Sequence, residues 1–247
     1  MKGTMSTFVD LLPQTLDEVY EPAIEVEREE YGQTIPTAWN TDSFAEEQIR
    51  GLVRQVFLPG WPKPAHQVVL SPVDSKTDIS SICMQVGLAL SAQARGTTCL
   101  VEANLNSPGL QQVVEKNGHD LIETQEPSDF RDSSRQLSNQ LWLIPRSVFV
   151  GENENGLSGA WLRERLTELR HTFDYTILYG PPAAVGSEAA LLASLCDGMV
   201  LVVEANSTRR VTAQKVKEKL HAANARLLGA VLSERTFPIP ETIYKKL

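Results

Sequence analysis

From residue 67 onward, short apolar runs alternate with longer segments of helical period. Residues 67–70 (QVVL), 98–103 (TCLVEA), 141–144, 175–178, 199–203 and 227–232 read as strands. Between them, 80–94, 110–116, 160–171, 187–196 and 209–223 read as helices, the first of these turning Ile82, Cys83, Val86, Ala89 and Leu90 inward. Strands that are continuously apolar, rather than alternating, are buried on both faces. That implies a parallel sheet covered by helices on each side. Right-handed crossovers then predict an α/β fold: a doubly wound, mostly parallel sheet in three αβα layers. Such sheets bind ligands at the carboxyl ends of their strands.

Upstream of this region, 43–57 (SFAEEQIRGLVRQVF) reads as a helix with Ser43 as N-cap and Glu46 completing a capping box. Ile49, Leu52, Val53 and Val56 form its apolar stripe, and Glu47, Arg50 and Arg54 share another face. Pro59, Pro62 and Pro64 end it. The expected organisation is an acidic, disordered or loosely docked tail over 1–42, the helix and a proline-rich linker over 43–64, the α/β domain over 65–236 and a tail over 237–247. Within the first tail, Phe8, Val9, Leu11 and Leu12 could make a short partner-binding helix. Polar, turn-rich stretches at 118–140 and 150–159 read as surface loops.

Charge narrows the function classes. Residues 1–46 hold ten acids against Lys2 and Arg28, which accounts for the whole net charge of −8 over 247 residues. The remainder is formally neutral. Without a basic excess to displace phosphate counterions, bulk attraction to nucleic acid is disfavoured. No apolar run approaches the ~20 residues of a membrane-spanning helix, and MKGTMSTFVDLL has no secretory character. Cys83, Cys99 and Cys196 sit in apolar stretches and read as buried thiols; neither they nor the four scattered histidines have metal-ligand spacing. The expectation is no metal site.

Several segments, in order, resemble the P-loop domain of bacterial tyrosine kinases of capsule and exopolysaccharide export, relatives of the MinD/ParA class. FDYTILYGPP (173–182) is similar to the family's Walker B strand. CDGMVLVVEANSTRR (196–210), ANARLLGAVLSE (223–234) and TCLVEANLNSP (98–108) are similar to the segments that follow and precede it, the last being the second acidic motif. EQIRGLVR (47–54) resembles the N-terminal helix that packs subunits of the family into a ring, its second arginine one position late. The resemblance covers about residues 44–235.

The resemblance also implies where nucleotide chemistry should sit. A P-loop needs glycines so that backbone N–H groups close around phosphates, a lysine to neutralise them, and Ser/Thr to hold magnesium. The matching stretch, residues 71–81 (SPVDSKTDISS), has no glycine. Ile79 falls at the lysine, Asp78 at the preceding glycine, and Ser80 and Ser81 at the Ser/Thr pair. Asp74 and Asp78 bring like charge to an anion, about 4 kcal/mol for a carboxylate 4 Å from a phosphate charge at an effective dielectric near 20. A second register uses Lys76 and Thr77 as the lysine and threonine, with Leu70 and Ser75 replacing glycines. In either register, the Walker B aspartate falls at Tyr179. The second acidic motif falls at Glu102, Asn104 and Asn106, the later aspartate at Glu188, and the asparagine ending the last strand at Ser233. The tail PIPETIYKKL offers Tyr244 alone as a phosphoacceptor.

The reading that follows is a catalytically degenerate kinase-like scaffold with a vestigial nucleotide site and no cofactor. It would act in the cytoplasm on a membrane polysaccharide co-polymerase or an active tyrosine kinase, touching membrane only through that partner. Glu47, Arg50 and Arg54 would form an oligomer or partner contact, including a homo-oligomer. Two alternatives stay open: an active ATP- and magnesium-dependent tyrosine kinase or ATPase using Lys76 and Thr77, and a MinD/ParA-like positioning protein. Trp142 and Trp161 read as packing anchors, Pro181 and Pro182 as shaping a turn, and Arg209 and Arg210 as opening a helix toward water.

Overall fold

The computed structural model describes residues 8–10, 41–58, 64–104, 109–116, 134–150 and 158–234. In chain order the elements are β1 (Phe8–Asp10), α1 (Thr41–Val56), β2 (Gln67–Pro72), α2 (Ser80–Gln93), β3 (Thr98–Glu102), α3 (Gly109–Lys116), β4 (Arg135–Ser138) and β5 (Leu141–Ile144). They continue with α4 (Arg146–Val150), α5 (Gly159–Thr172), β6 (Tyr175–Tyr179), α6 (Glu188–Leu195), β7 (Gly198–Glu204), α7 (Arg210–Ala222) and β8 (Leu227–Ser233).

The sheet order is β1-β8-β7-β2-β6-β3-β5-β4. The six inner strands are parallel, and β1 and β4 close the two edges antiparallel. β2, β3 and β5 are buried along their whole length, as uninterrupted apolar runs in a covered parallel sheet should be. One core cluster joins α1, α2 and α3 to one face, through Leu52, Val53, Ile82, Leu90 and Leu110. The other joins α4 to α7 to the opposite face, through Phe149, Leu162, Leu192, Val216 and Leu220. The predicted three-layer arrangement is therefore present.

Local differences have identifiable causes. α1 starts at Thr41, so Ser43 lies inside its first turn instead of capping it. Phe8–Asp10, within the stretch read as acidic tail or a short helix, is a strand paired with Leu232, Val231 and Ala230 of β8. β4 falls in a segment read as loop: RQLS has no apolar run, and its burial alternates as suits an edge strand. Trp142 packs against Phe173 with ring centroids 5.8 Å apart, and Trp161 against Phe149 at 6.0 Å, both as packing anchors.

Candidate functional site

The loop from Val73 to Ile79 leaves β2 at the carboxyl end of the sheet and enters α2. It is pinned on both flanks: the Val73 N–H donates to the carbonyl of Val202, and its carbonyl accepts from the Ala184 N–H. Within the loop, Asp74 acts as the acceptor hub. Its carboxylate receives the Lys76 N–H at 3.3 Å and the Thr208 hydroxyl at 3.0 Å, with the Thr77 hydroxyl 3.4 Å away. The single Thr77 hydroxyl proton is better placed for Glu204 at 2.7 Å, with Asp74 the longer alternative acceptor, and this bond ties the loop to the end of β7. Asp78 Oδ1 accepts the Ser80 N–H at 2.9 Å, satisfying one of the donors that a helix start leaves open. Ile79 is fully buried in the α1–α3 core, so its side chain serves packing. Ser75, Lys76 and Ser81 are exposed.

Glu102, the last residue of β3, lies beneath this loop with no solvent exposure. Its Oε2 accepts the Leu110 N–H at 2.8 Å and the Gln111 N–H at 3.3 Å, so it caps α3 from eight residues away. Oε1 and the neighbouring Ser80 hydroxyl have no hydrogen-bond partner among the described residues. Burial pushes the Glu102 carboxyl up to about 7, against the lowering effect of the two N–H groups, and Asp78 adds to the rise. Tyr179 ends β6 beside it, 3 % exposed. Burial raises its phenol to about 12, although its hydrogen bond with Asn104 favours the ionised form. A Cβ at Gly109 would come within 3.0 Å of the Tyr179 hydroxyl and 3.1 Å of the Ser80 Cβ, so any larger residue at the α3 start would make these side chains shift by a few tenths of an ångström.

The fold thus brings Asp74, Lys76, Asp78, Ile79, Ser80, Ser81, Glu102, Asn104 and Tyr179 to one end of the sheet. Glu188 opens α6, exposed, and Ser233 is buried at the end of β8. Thr208, Glu204 and Gly109 complete the cluster and were missed by sequence reasoning. Thr208 and Glu204 lie more than 120 residues from the loop they bind, and no local pattern marks such contacts. Asn106 and Tyr244 lie outside the described residues. On α1, Glu47 sits 3.8 Å from both Arg50 and Arg54, and Arg50 is 3.4 Å from Glu46, all more than half exposed. Arg54 also donates to Gln93 of α2 at 3.3 Å. These pairs line an accessible face, remote from the loop. Among the described residues, no group of three or more His, Cys, Asp or Glu is arranged to hold a metal ion.

A mostly parallel sheet sandwiched by helices, with a loop–helix junction leaving its central strand, is a doubly wound α/β domain of the kind that includes the P-loop NTPase fold. Two solved structures share this fold: the VpsO kinase domain (TM-score 0.57, 17 % identity, 79 % of this chain and 98 % of that one), and MinD of Aquifex aeolicus (0.53, 14 %, 74 % and 73 %). No family model matches the chain. Tyrosine-protein kinase CpsD of Streptococcus pneumoniae serotype 4 is 31 % identical over 196 residues, covering 77 % of this chain and 84 % of that protein. CpsD of Streptococcus agalactiae is 33 % identical over 95 residues, 38 % of this chain and 42 % of its own length, so that match spans well under half of that kinase. The chain belongs to the bacterial tyrosine-protein kinase family. Among the described residues, no helix is long and apolar enough to cross a membrane.

Proposed function

We propose that this chain is a degenerate member of its family that uses the P-loop-type domain as a binding scaffold rather than as a kinase. The observation that carries the proposal is the occupation of the loop by its own carboxylates. Asp78 takes the Ser80 N–H at the α2 start, and Asp74 takes the Lys76 N–H with the hydroxyl of Thr208. Those are the kinds of donor that would cradle phosphate. The residues do not fit a magnesium nucleotide: the position of the family's lysine holds a buried isoleucine, and the nearest deep carboxylate, Glu102, already caps α3.

The scaffold would bind the cytoplasmic side of a membrane polysaccharide co-polymerase, or an active tyrosine kinase, and regulate exopolysaccharide polymerisation and export. Family membership supports the pathway, and the exposed Glu47–Arg50–Arg54 face supports assembly through α1. Calorimetric titration with Mg-ATP tests the proposal. No heat of binding is expected up to millimolar nucleotide. Micromolar binding that disappears in Lys76→Ala would instead establish the active kinase or ATPase reading.

A further inference from the structure

Across the sheet from α1, the outer side of α7 carries a charge that the site above does not use. Arg210, Gln214, Lys217 and His221 recur along it at helical spacing and are exposed, with Lys215 beside them, while Val216 and Leu220 turn into the core. Arg209, also exposed, precedes the first turn. Residues 209–226 contain six Lys or Arg against Glu218 alone, so this stretch is cationic in a chain whose net charge is −8. Among the described residues, no ion pair involves Arg209, Arg210, Lys215 or Lys217. Two exposed apolar side chains flank these cations. Val211, 64 % exposed, stands one turn before Lys215 on the same stripe. Val185, 54 % exposed, lies between Ala183 and Gly186, whose carbonyls both accept from Lys219 of α7. Glu218, and Glu188 beside Gly186, are the acids at the margin.

We propose that this face binds the anionic headgroup surface of a membrane directly, with Val185 and Val211 entering between the headgroups. Charge complementarity carries the first half. Flexible Lys and Arg side chains without carboxylate partners match a diffuse sheet of negative charge rather than one enclosed anion. The valines carry the second half. A lipid surface accepts apolar side chains at its headgroup boundary, whereas nucleic-acid phosphates reward cations alone. The acids elsewhere in the chain do not cancel this attraction, because fields at physiological salt die away over about 8 Å. α7 lies in the layer opposite α1, so a membrane on α7 leaves the Glu47–Arg50–Arg54 face turned away from it and open to a partner. From sequence alone the expectation is membrane contact only through a partner. The cations of 209–217 are outweighed in the whole-chain sum and stand out only once α7 turns them to one side. The inference depends neither on the nucleotide question nor on the scaffold reading.

Co-sedimentation of the purified full chain with lipid vesicles tests the proposal without any partner present. Each Lys or Arg near an anionic surface is worth about fivefold in binding. The exposed cations should therefore favour vesicles with about one-third phosphatidylserine over pure phosphatidylcholine by roughly a few hundredfold. Binding should fade in about 0.5 M salt. Arg210→Glu, Lys215→Glu and Lys217→Glu together should abolish it, and the charge-preserving set Arg210→Lys, Lys215→Arg, Lys217→Arg should retain it. Val185→Ser with Val211→Ser, which leaves the charge unchanged, should weaken it about tenfold. The comparison of the two lipids uses the wild-type chain, so a folding defect in a variant cannot mask the answer. No sedimentation, equal sedimentation with both lipids, or full binding by the glutamate variant would overturn the proposal. Unchanged binding by the serine pair would overturn the entry of the valines. Retention on polyglutamate without vesicle binding would overturn the proposal in favour of an acidic protein partner. Retardation of duplex DNA without vesicle binding would overturn it in favour of nucleic acid.

Discussion

Replacing Glu102 with glutamine should remove a pH dependence built into the fold. In the unfolded chain the carboxyl titrates near 4.5, whereas burial raises it to about 7 in the native state. Because the folded value is the higher one, the native state binds more protons between these two values. The stability associated with Glu102 is complete below pH 4.5, falls as pH rises, and is lost above about pH 7. At 1.36 kcal/mol per pH unit the loss comes to about 3 kcal/mol, an upper figure for a group with no solvent exposure. Glutamine retains an oxygen for the Leu110 N–H. Urea unfolding followed by tryptophan fluorescence across this range is the assay. The variant should gain on the parent by about 2–3 kcal/mol between the acid and the neutral end. Any pH-independent cost of the substitution cancels in that difference. Stabilities of parent and variant that move in parallel across the interval would refute the assignment of a buried, neutral-leaning carboxyl at this position.

Asp197→Ala should cost about 2–3 kcal/mol in the same unfolding assay, because it strands the N–H groups of His66 and Gln67, which donate to Asp197 at 2.8 Å each, and removes one acceptor from Arg170, which keeps Gln67. Burial would raise the Asp197 carboxyl, but these donors outweigh it and hold it below its ordinary 3.8; its contribution is therefore present above that value and fades as pH falls, opposite in sign to Glu102. Arg50→Ala with Arg54→Ala should change stability by less than about 1 kcal/mol, as these are exposed pairs. Light scattering or pull-down should nevertheless show reduced self-association or partner capture, and an unchanged mass with unchanged capture would reject the α1 contact.

The parallel sheet was legible because a strand covered on both faces must be apolar at every position, and QVVL, TCLVE and LWLI are so within a residue or two. β1 and β4 were not, because an edge strand needs apolar residues on at most one face; RQLS therefore reads as loop, and β1 has only three residues. Of the site, the missing glycines and the place of Ile79 at the lysine position followed from the resemblance to the family's loop. The bond from the Ser80 N–H to Asp78 was not marked, because the N-cap position itself is Ile79, which makes no side-chain cap bond, and Asp78 stands one residue before it. Nor was the role of Glu102. A carboxylate at the end of β3 resembles a metal ligand until the fold brings the α3 N–H groups onto it. The ties from Thr77 to Glu204 and from Asp74 to Thr208 depend on β7 lying beside β2, a neighbour relation that only the topology supplies.

Those two ties also weigh between the registers proposed for the loop. In the register that uses Lys76 and Thr77, the threonine hydroxyl must leave Glu204 at 2.7 Å and the Lys76 N–H must leave Asp74 at 3.3 Å before either could meet a phosphate. Hydrogen bonds to a carboxylate are stronger than those between neutral groups, about twofold. Leaving Asp74 and Glu204 in place would also set two negative charges beside the incoming one. Binding would therefore require both acids to swing away, and the loop to part from β7 on one flank while Ala184 holds Val73 on the other. The Ile79 register needs no such opening, but it offers a buried alkyl chain where a cation is required. Under the proposed scaffold reading, each register meets a different obstacle, one electrostatic and one steric. No single substitution among these residues removes both obstacles, which is why the scaffold proposal does not depend on choosing between them.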